Sequence, residues 1–122
     1  MSEHITDIEQ ELRNSEIELF NAATEYRQLV TYAADKRAKY DLEWAKELLK
    51  ITTTMKDAKL TVAEKEAMTL KAVESHFIPC RIAEAEAEAS KRQLSAIQAI
   101  QSSIQTRASL IKSERFAVNY QT

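Results

Sequence analysis

ITDIEQELRNSEIELFNAATEYRQLVTYAADKRAKY, residues 5–40, is the stretch that decides the fold. Within it Ile5, Ile8, Leu12, Ser15, Leu19, Ala22, Tyr26, Leu29, Ala33, Lys36 and Tyr40 recur at alternating spacings of three and four. That rhythm puts every one of them on a single face of an α-helix, as in bundles and coiled coils. Ser15 and Lys36 interrupt its apolar character, and beyond Tyr40 the stripe drifts to Trp44, Leu48 and Ile51. Thr6 with Glu9 fits a capping box, and Ser2 is a competing cap. The pattern predicts a first helix over about residues 7–54. At 1.5 Å per residue such a helix spans roughly 72 Å, so it either bends or is clamped by partners.

Working outward, Thr52-Thr53-Thr54 is β-branched and weak for helix, which places a turn over 55–61. Thr61-Val62-Ala63-Glu64 is a second capping box and opens a helix over 62–77. Pro79 then breaks or kinks the chain or, since proline is tolerated in a first turn, starts the next helix. A third helix is expected over about 80–118. Its seam is Ala83, Ala87, Ser90, Leu94, Ile97, Gln101, Ile104, Ala108, Ile111, Arg115 and Val118. The early part, AEAEAEAS at 83–90, is small; the isoleucines follow.

Composition agrees. The 122 residues contain no glycine and one proline, so the backbone has almost no punctuation for tight turns or phosphate loops. The expectation is an all-α, single-domain, coiled-coil-like helical hairpin: two long helices and a short connecting one. A hairpin of this size has a thin core, and its apolar stripes are broader than one partner covers. Homo-oligomerisation is the expected remedy. No run of 18 apolar residues is present, so no membrane span is expected. MSEHITDIEQE has no signal-peptide character, and the single Cys80 cannot form an internal disulfide, which reads as a cytoplasmic chain.

The net charge of −2 hides an alternation. Residues 1–25 carry a net −6, residues 26–60 a net +3, residues 61–90 a net −3 and residues 91–122 a net +4. Acidic and basic blocks of this kind can attract copies of the chain to one another. They can also leave a local basic surface on an acidic protein.

No catalytic residue, metal site or cofactor is expected. His76 and Cys80 are four apart, but Pro79 falls between them and no second ligand pair exists; a packed histidine and a buried thiol are the plainer reading. Glu84, Glu86 and Glu88 fan out around a helix rather than converge, and no nucleophile–base pair is visible.

The basic residues are the candidates for function. Tyr32, Lys39, Lys46 and Lys50 fall within roughly 40° of one another on a helical wheel, off the apolar seam. Such a row of lysines ending at an aromatic can track a phosphate backbone. Lys56 and Lys59 flank the first turn and extend it. The plainer reading is a solvated helix face, with Asp35–Lys39 and Glu47–Lys50 as local ion pairs. Leu12, Leu19, Ile104, Ile111, Arg107 and Arg115 are the expected oligomer-interface residues. An arginine on a seam either meets a carboxylate across the helices, the acidic block of residues 3–18 being the obvious partner, or lines an oligomer's inner surface.

An acidic first helix leads to Tyr32, Lys39-Tyr40, Glu43 and Lys46. A lysine-bearing turn follows, then Leu60-Thr61-Val62-Ala63-Glu64-Lys65-Glu66-Ala67. The chain closes with Ala96-Ile97-Gln98-Ala99-Ile100, Thr106-Arg107-Ala108, Ile111-Lys112 and Arg115. This order resembles the small all-helical recombination and replication accessory proteins of bacteriophages, the UvsY-like recombination mediators of T-even phages among them. It extends over nearly the whole chain. The resemblance implies a homo-oligomer in the infected bacterial cytoplasm. Such a protein binds single-stranded DNA and the phage single-strand binding protein, and helps a recombinase load. The chain departs from that pattern at the turn, where Lys56 and Lys59 stand without an aromatic residue. Two other readings stand beside it. One is a protein-binding factor, a host or defence inhibitor or an assembly scaffold, working through its acidic first block without DNA. The other holds a small nucleotide between subunits through Arg107 or Arg115.

Overall fold

In a computed structural model of the chain, the backbone is described for residues 5–121 and the side chains for residues 6–117. Three α-helices and one short 3-10 turn account for it: α1 (Ile5–Thr54), the turn Lys56–Ala58, α2 (Val62–Ala72) and α3 (Glu74–Gln121). No strand occurs among the described residues. The fold is all-α.

Two boundaries differ from the expectation. α1 is already helical at Ile5, so Thr6 lies inside its first turn rather than capping it. Ile5 and Thr6 offer no proline or glycine to stop a helix that has already nucleated, so it propagates upstream. Ser2, the competing cap, lies outside the described residues. Pro79 neither breaks the chain nor starts a helix; it sits inside α3. The interruption falls at Val73, whose ψ of 11° separates α2 from α3. The carbonyl that a proline ring crowds is the one four residues upstream, here Ser75, which stays inside α3, so the proline by itself does not place the break at Val73. The interruption leaves few groups orphaned. Val73 N–H donates to Thr69 O at 3.0 Å, and Val73 O accepts from His76 and Phe77 N–H at 2.9 and 3.0 Å.

The end of α1 follows from its threonines. The hydroxyls of Thr52 and Thr54 donate to the carbonyls of Leu48 and Lys50 at 2.8 and 2.6 Å, and Thr53 does the same to Leu49. These bonds add side-chain donors to carbonyls of the turn before the last and weaken continuation of the helix. The chain then reverses through Lys59, whose φ of 51° and ψ of 44° are left-handed. With no glycine available, a lysine carries the conformation glycine would adopt more readily. Thr61 caps α2: Glu64 N–H donates to its Oγ1 at 3.1 Å, and the Thr61 hydroxyl donates to Glu64 Oε1 at 3.1 Å.

The chain forms two compact units. One joins Met1–Arg27 to Ala89–Thr122, and the other is Gln28–Glu88. In the first, α1 buries Ile8, Ser15 and Ala22, while α3 buries Ser90, Ile97 and Ile104. Each lies on the stripe read from the sequence. Ser15, a polar break in that stripe, is accommodated because its hydroxyl donates to Leu12 O at 2.8 Å.

In the second unit the core is Tyr40, Val73 and Cys80, with Trp44 and Phe77 against it. The Tyr40 ring stands 6.2 Å from Trp44 and 5.5 Å from Phe77, both tilted, within the range for favourable aromatic pairs. Arg37 reaches Glu84 and Tyr40 reaches Phe77, so rising numbers on α1 meet falling numbers on α3 and the helices run antiparallel here.

Candidate functional site

The row expected to touch nucleic acid lies wholly on α1 and the turn that follows it, in the unit of residues 28–88. Tyr32 is 50% exposed, and Lys39, Lys46, Lys50, Lys56 and Lys59 are all exposed. The seam turns Ala33, Tyr40 and Ile51 inward, which leaves the lysines on the flank of the helix facing water.

Two details of the row were not visible in the sequence. Lys36, read as an interruption of the seam, sends its Nζ over the Tyr32 ring at 5.3 Å from the centroid. It thereby joins the basic row instead of the core, because a lysine can lay its stem along apolar surface and free its head. The expected pairs Asp35–Lys39 and Glu47–Lys50 do not close among the described residues; Lys46 pairs with Glu43 at 3.5 Å instead. That contact is partly exposed and weak, so Lys46 exchanges it readily for another anion. At the turn, Lys59's left-handed backbone fixes where its side chain leaves the chain, three residues beyond Lys56.

The expected oligomer contacts occupy the other unit. Ile104 is 7% exposed, and Leu12, Leu19 and Ile111 are half-buried within a single chain. The two seams meet inside one molecule because the connection between the helices holds them at an effective concentration that separate chains do not reach. Arg107 Nη2 donates to Glu11 Oε2 at 2.5 Å, so the seam arginine meets the acidic block. Arg115 is exposed.

An open groove of about 380 Å³ runs beside the Glu11–Arg107 pair, lined also by Asn14, Glu18, Ser103 and Ile104. Two carboxylates flank its one arginine, and that arginine is held by one of them, which disfavours a phosphate there.

His76 is exposed, while Cys80 is 0% exposed with its Sγ 3.5 Å from Glu84 Oε1. Among the described residues no three His, Cys, Asp or Glu side chains gather as a metal site would require. Burial, reinforced by the hydrogen bond to Glu84, pushes the Cys80 thiol above its ordinary range. Arg37 is held protonated, chiefly by Asp41 at 3.4 Å. It also approaches Glu84 at 3.7 Å, and its guanidinium lies 5.6 Å from the Tyr40 ring centroid. These contacts tie α1 to α3 around the aromatic cluster. No helix of the described residues is long and apolar enough to cross a membrane.

Comparison with protein-family models, with curated proteins and with solved structures finds no match to this chain.

Proposed function

We propose that this protein is a non-enzymatic recombination or replication accessory factor of a bacteriophage, acting in the cytoplasm of the infected cell. It self-associates through coiled-coil-like helix faces and binds single-stranded DNA, or the single-strand binding protein on it, so that a recombinase can load. The observation that carries the reading is the exposed row of Tyr32, Lys39, Lys46 and Lys50, with Lys36 folded over Tyr32. Lysine heads along a helix flank can follow a phosphate chain, and an exposed tyrosine offers one stacking surface. Each contact is weak. Repetition of the row in several copies would multiply it by avidity, with counterion release as the driving force.

Fluorescence anisotropy with labelled single-stranded DNA, at low and at physiological salt, tests this directly. Salt-sensitive binding is expected. No binding even at low salt overturns the DNA part of the reading.

A second reading is favoured by a separate observation. Ile17 and Phe20 are 61% and 67% exposed and flanked by Glu16 and Glu18, an apolar pair in an acidic setting that suits a protein partner. In this alternative the chain is a protein-binding factor, a host or defence inhibitor or a scaffold, and DNA is not involved. Phe20→Ser would then remove activity while leaving the fold intact.

A further inference from the structure

α1 has a second apolar stripe that its own chain does not cover. Ala38, Leu42, Ala45 and Leu49 follow one another at spacings of four, three and four. All are exposed; Leu42 is 54% and Leu49 68% accessible. On the helix they lie about 150° from the buried seam of Ala33, Tyr40 and Ile51. Two apolar stripes on opposite faces of one helix are more than one intrachain neighbour can cover.

The flanks of this stripe carry the information about its occupant. Asp41 immediately precedes Leu42, and Lys46 immediately follows Ala45. When two copies of such a helix lie parallel and in register, the residue before one core position faces the residue after the next core position of the partner. Asp41 of each copy then meets Lys46 of the other, twice by symmetry. In the antiparallel arrangement Lys39 and Lys46 of opposite copies come together and repel. The existing contacts of both residues are local, the first exposed and the second partly so: Asp41 to Arg37 at 3.4 Å, Lys46 to Glu43 at 3.5 Å. Neither is costly to exchange. The alanines at alternate core positions let two backbones approach closely, and the leucines fill the layers between them. The stripe ends at Asp35, where a carboxylate stands at the next core position.

We propose that a second copy of this chain docks on the Ala38–Leu42–Ala45–Leu49 face of α1, parallel and in register, clamped by reciprocal Asp41–Lys46 pairs. This rests on the self-association part of the proposed function and assigns it a surface and an orientation. With two leucine layers per chain the contact is short, so the dimer is concentration-dependent.

Sedimentation equilibrium of the full chain over a range of concentrations tests it, with circular dichroism as a check on helicity. The natural sequence is expected to dimerise reversibly. Leu42→Gln with Leu49→Gln should raise the dissociation constant by about tenfold or more. Lys46→Asp should raise it about fivefold, and Asp41→Lys added to Lys46→Asp should return it to within about twofold of the natural value. In that double variant Arg37 keeps Glu84 as a partner. A chain that stays monomeric throughout overturns both the proposal and the self-association reading. A dimer indifferent to the leucine changes leaves self-association standing and overturns this face. Failure of the double charge swap to restore association overturns the parallel orientation.

Discussion

Arg107 on α3 donates to Glu11 on α1 across 96 positions of sequence, Nη2 to Oε2 at 2.5 Å. It is the longest-range polar contact described in the unit that joins the two chain ends, and it sits beside buried Ser15 and Ile104. Both partners are more than a third exposed, so solvent screens the pair strongly. The pair therefore adds little to stability. Glu11→Gln and Arg107→Ala should each cost about 0.5–1 kcal/mol in urea denaturation, falling further at high salt. A double-mutant cycle coupling near zero would show that the register is set by the isoleucines alone.

The apolar seam should carry the stability. Ile104→Ala removes a side chain that is 7% exposed and should cost about 2–4 kcal/mol. Leu110→Ala, on a residue 59% exposed, should fall within about 0.5 kcal/mol of the natural protein. Equal effects in thermal or urea melts would contradict the assignment of inner and outer faces.

The thiol at Cys80 should make the fold alkali-sensitive. Its folded pKa is raised, first by burial and then by the hydrogen bond to Glu84, so the neutral thiol is the form the core accepts. The stabilisation is complete below the unfolded thiol value near about 8.5 and is lost as pH rises through the folded value. Stability should therefore decline above about pH 8.5, by at most about 1.4 kcal/mol per pH unit, and Cys80→Ala should remove that component of the slope. Alkylation of Cys80 should be slow in the native protein and fast in denaturant. Rapid native alkylation would show that the site opens.

The turn at Lys59 stores a small strain. Lys59→Gly should stabilise the chain by about 0.5–1 kcal/mol, since φ of 51° costs a lysine more than a glycine. Thr61→Ala, by removing the cap on Glu64 N–H, should cost about 1 kcal/mol. The glycine variant also deletes a cation of the proposed DNA surface. It should therefore reduce DNA affinity modestly while raising the melting temperature, a split that separates binding from folding.

Charge reversal at Lys39, Lys46 and Lys50 together should abolish single-stranded DNA binding and leave the helical circular dichroism unchanged. The natural protein's log affinity should fall with log salt with a slope near −0.7 per phosphate contacted. Undiminished binding in the triple variant would move the nucleic-acid surface elsewhere on the chain.

The three-four rhythm of residues 5–40 and 83–111 was sufficient to name the inner faces, because helix periodicity is a property of each segment by itself. Ile8, Ser15, Ala22, Ala33 and Tyr40 are buried where that rhythm puts them, and so are Ile97 and Ile104. The Thr61 cap and the end of α1 at Thr54 were equally local and equally legible. Three things were not. The interruption at Val73 rather than Pro79 depends on the tertiary setting of that segment, where Val73 and Cys80 are buried together against Tyr40. The fate of Lys36 depends on a four-carbon stem that can leave a seam position and reach Tyr32. The choice between Glu11 and an oligomer's inner surface as the partner of Arg107 needed both helices in place. Periodicity states which face is apolar; it says nothing about how many apolar faces the chain's own helices can cover. Packing left Leu42 and Leu49 outside while covering Tyr40 and Ile51 on the same helix, because an intrachain neighbour meets one side of a cylinder.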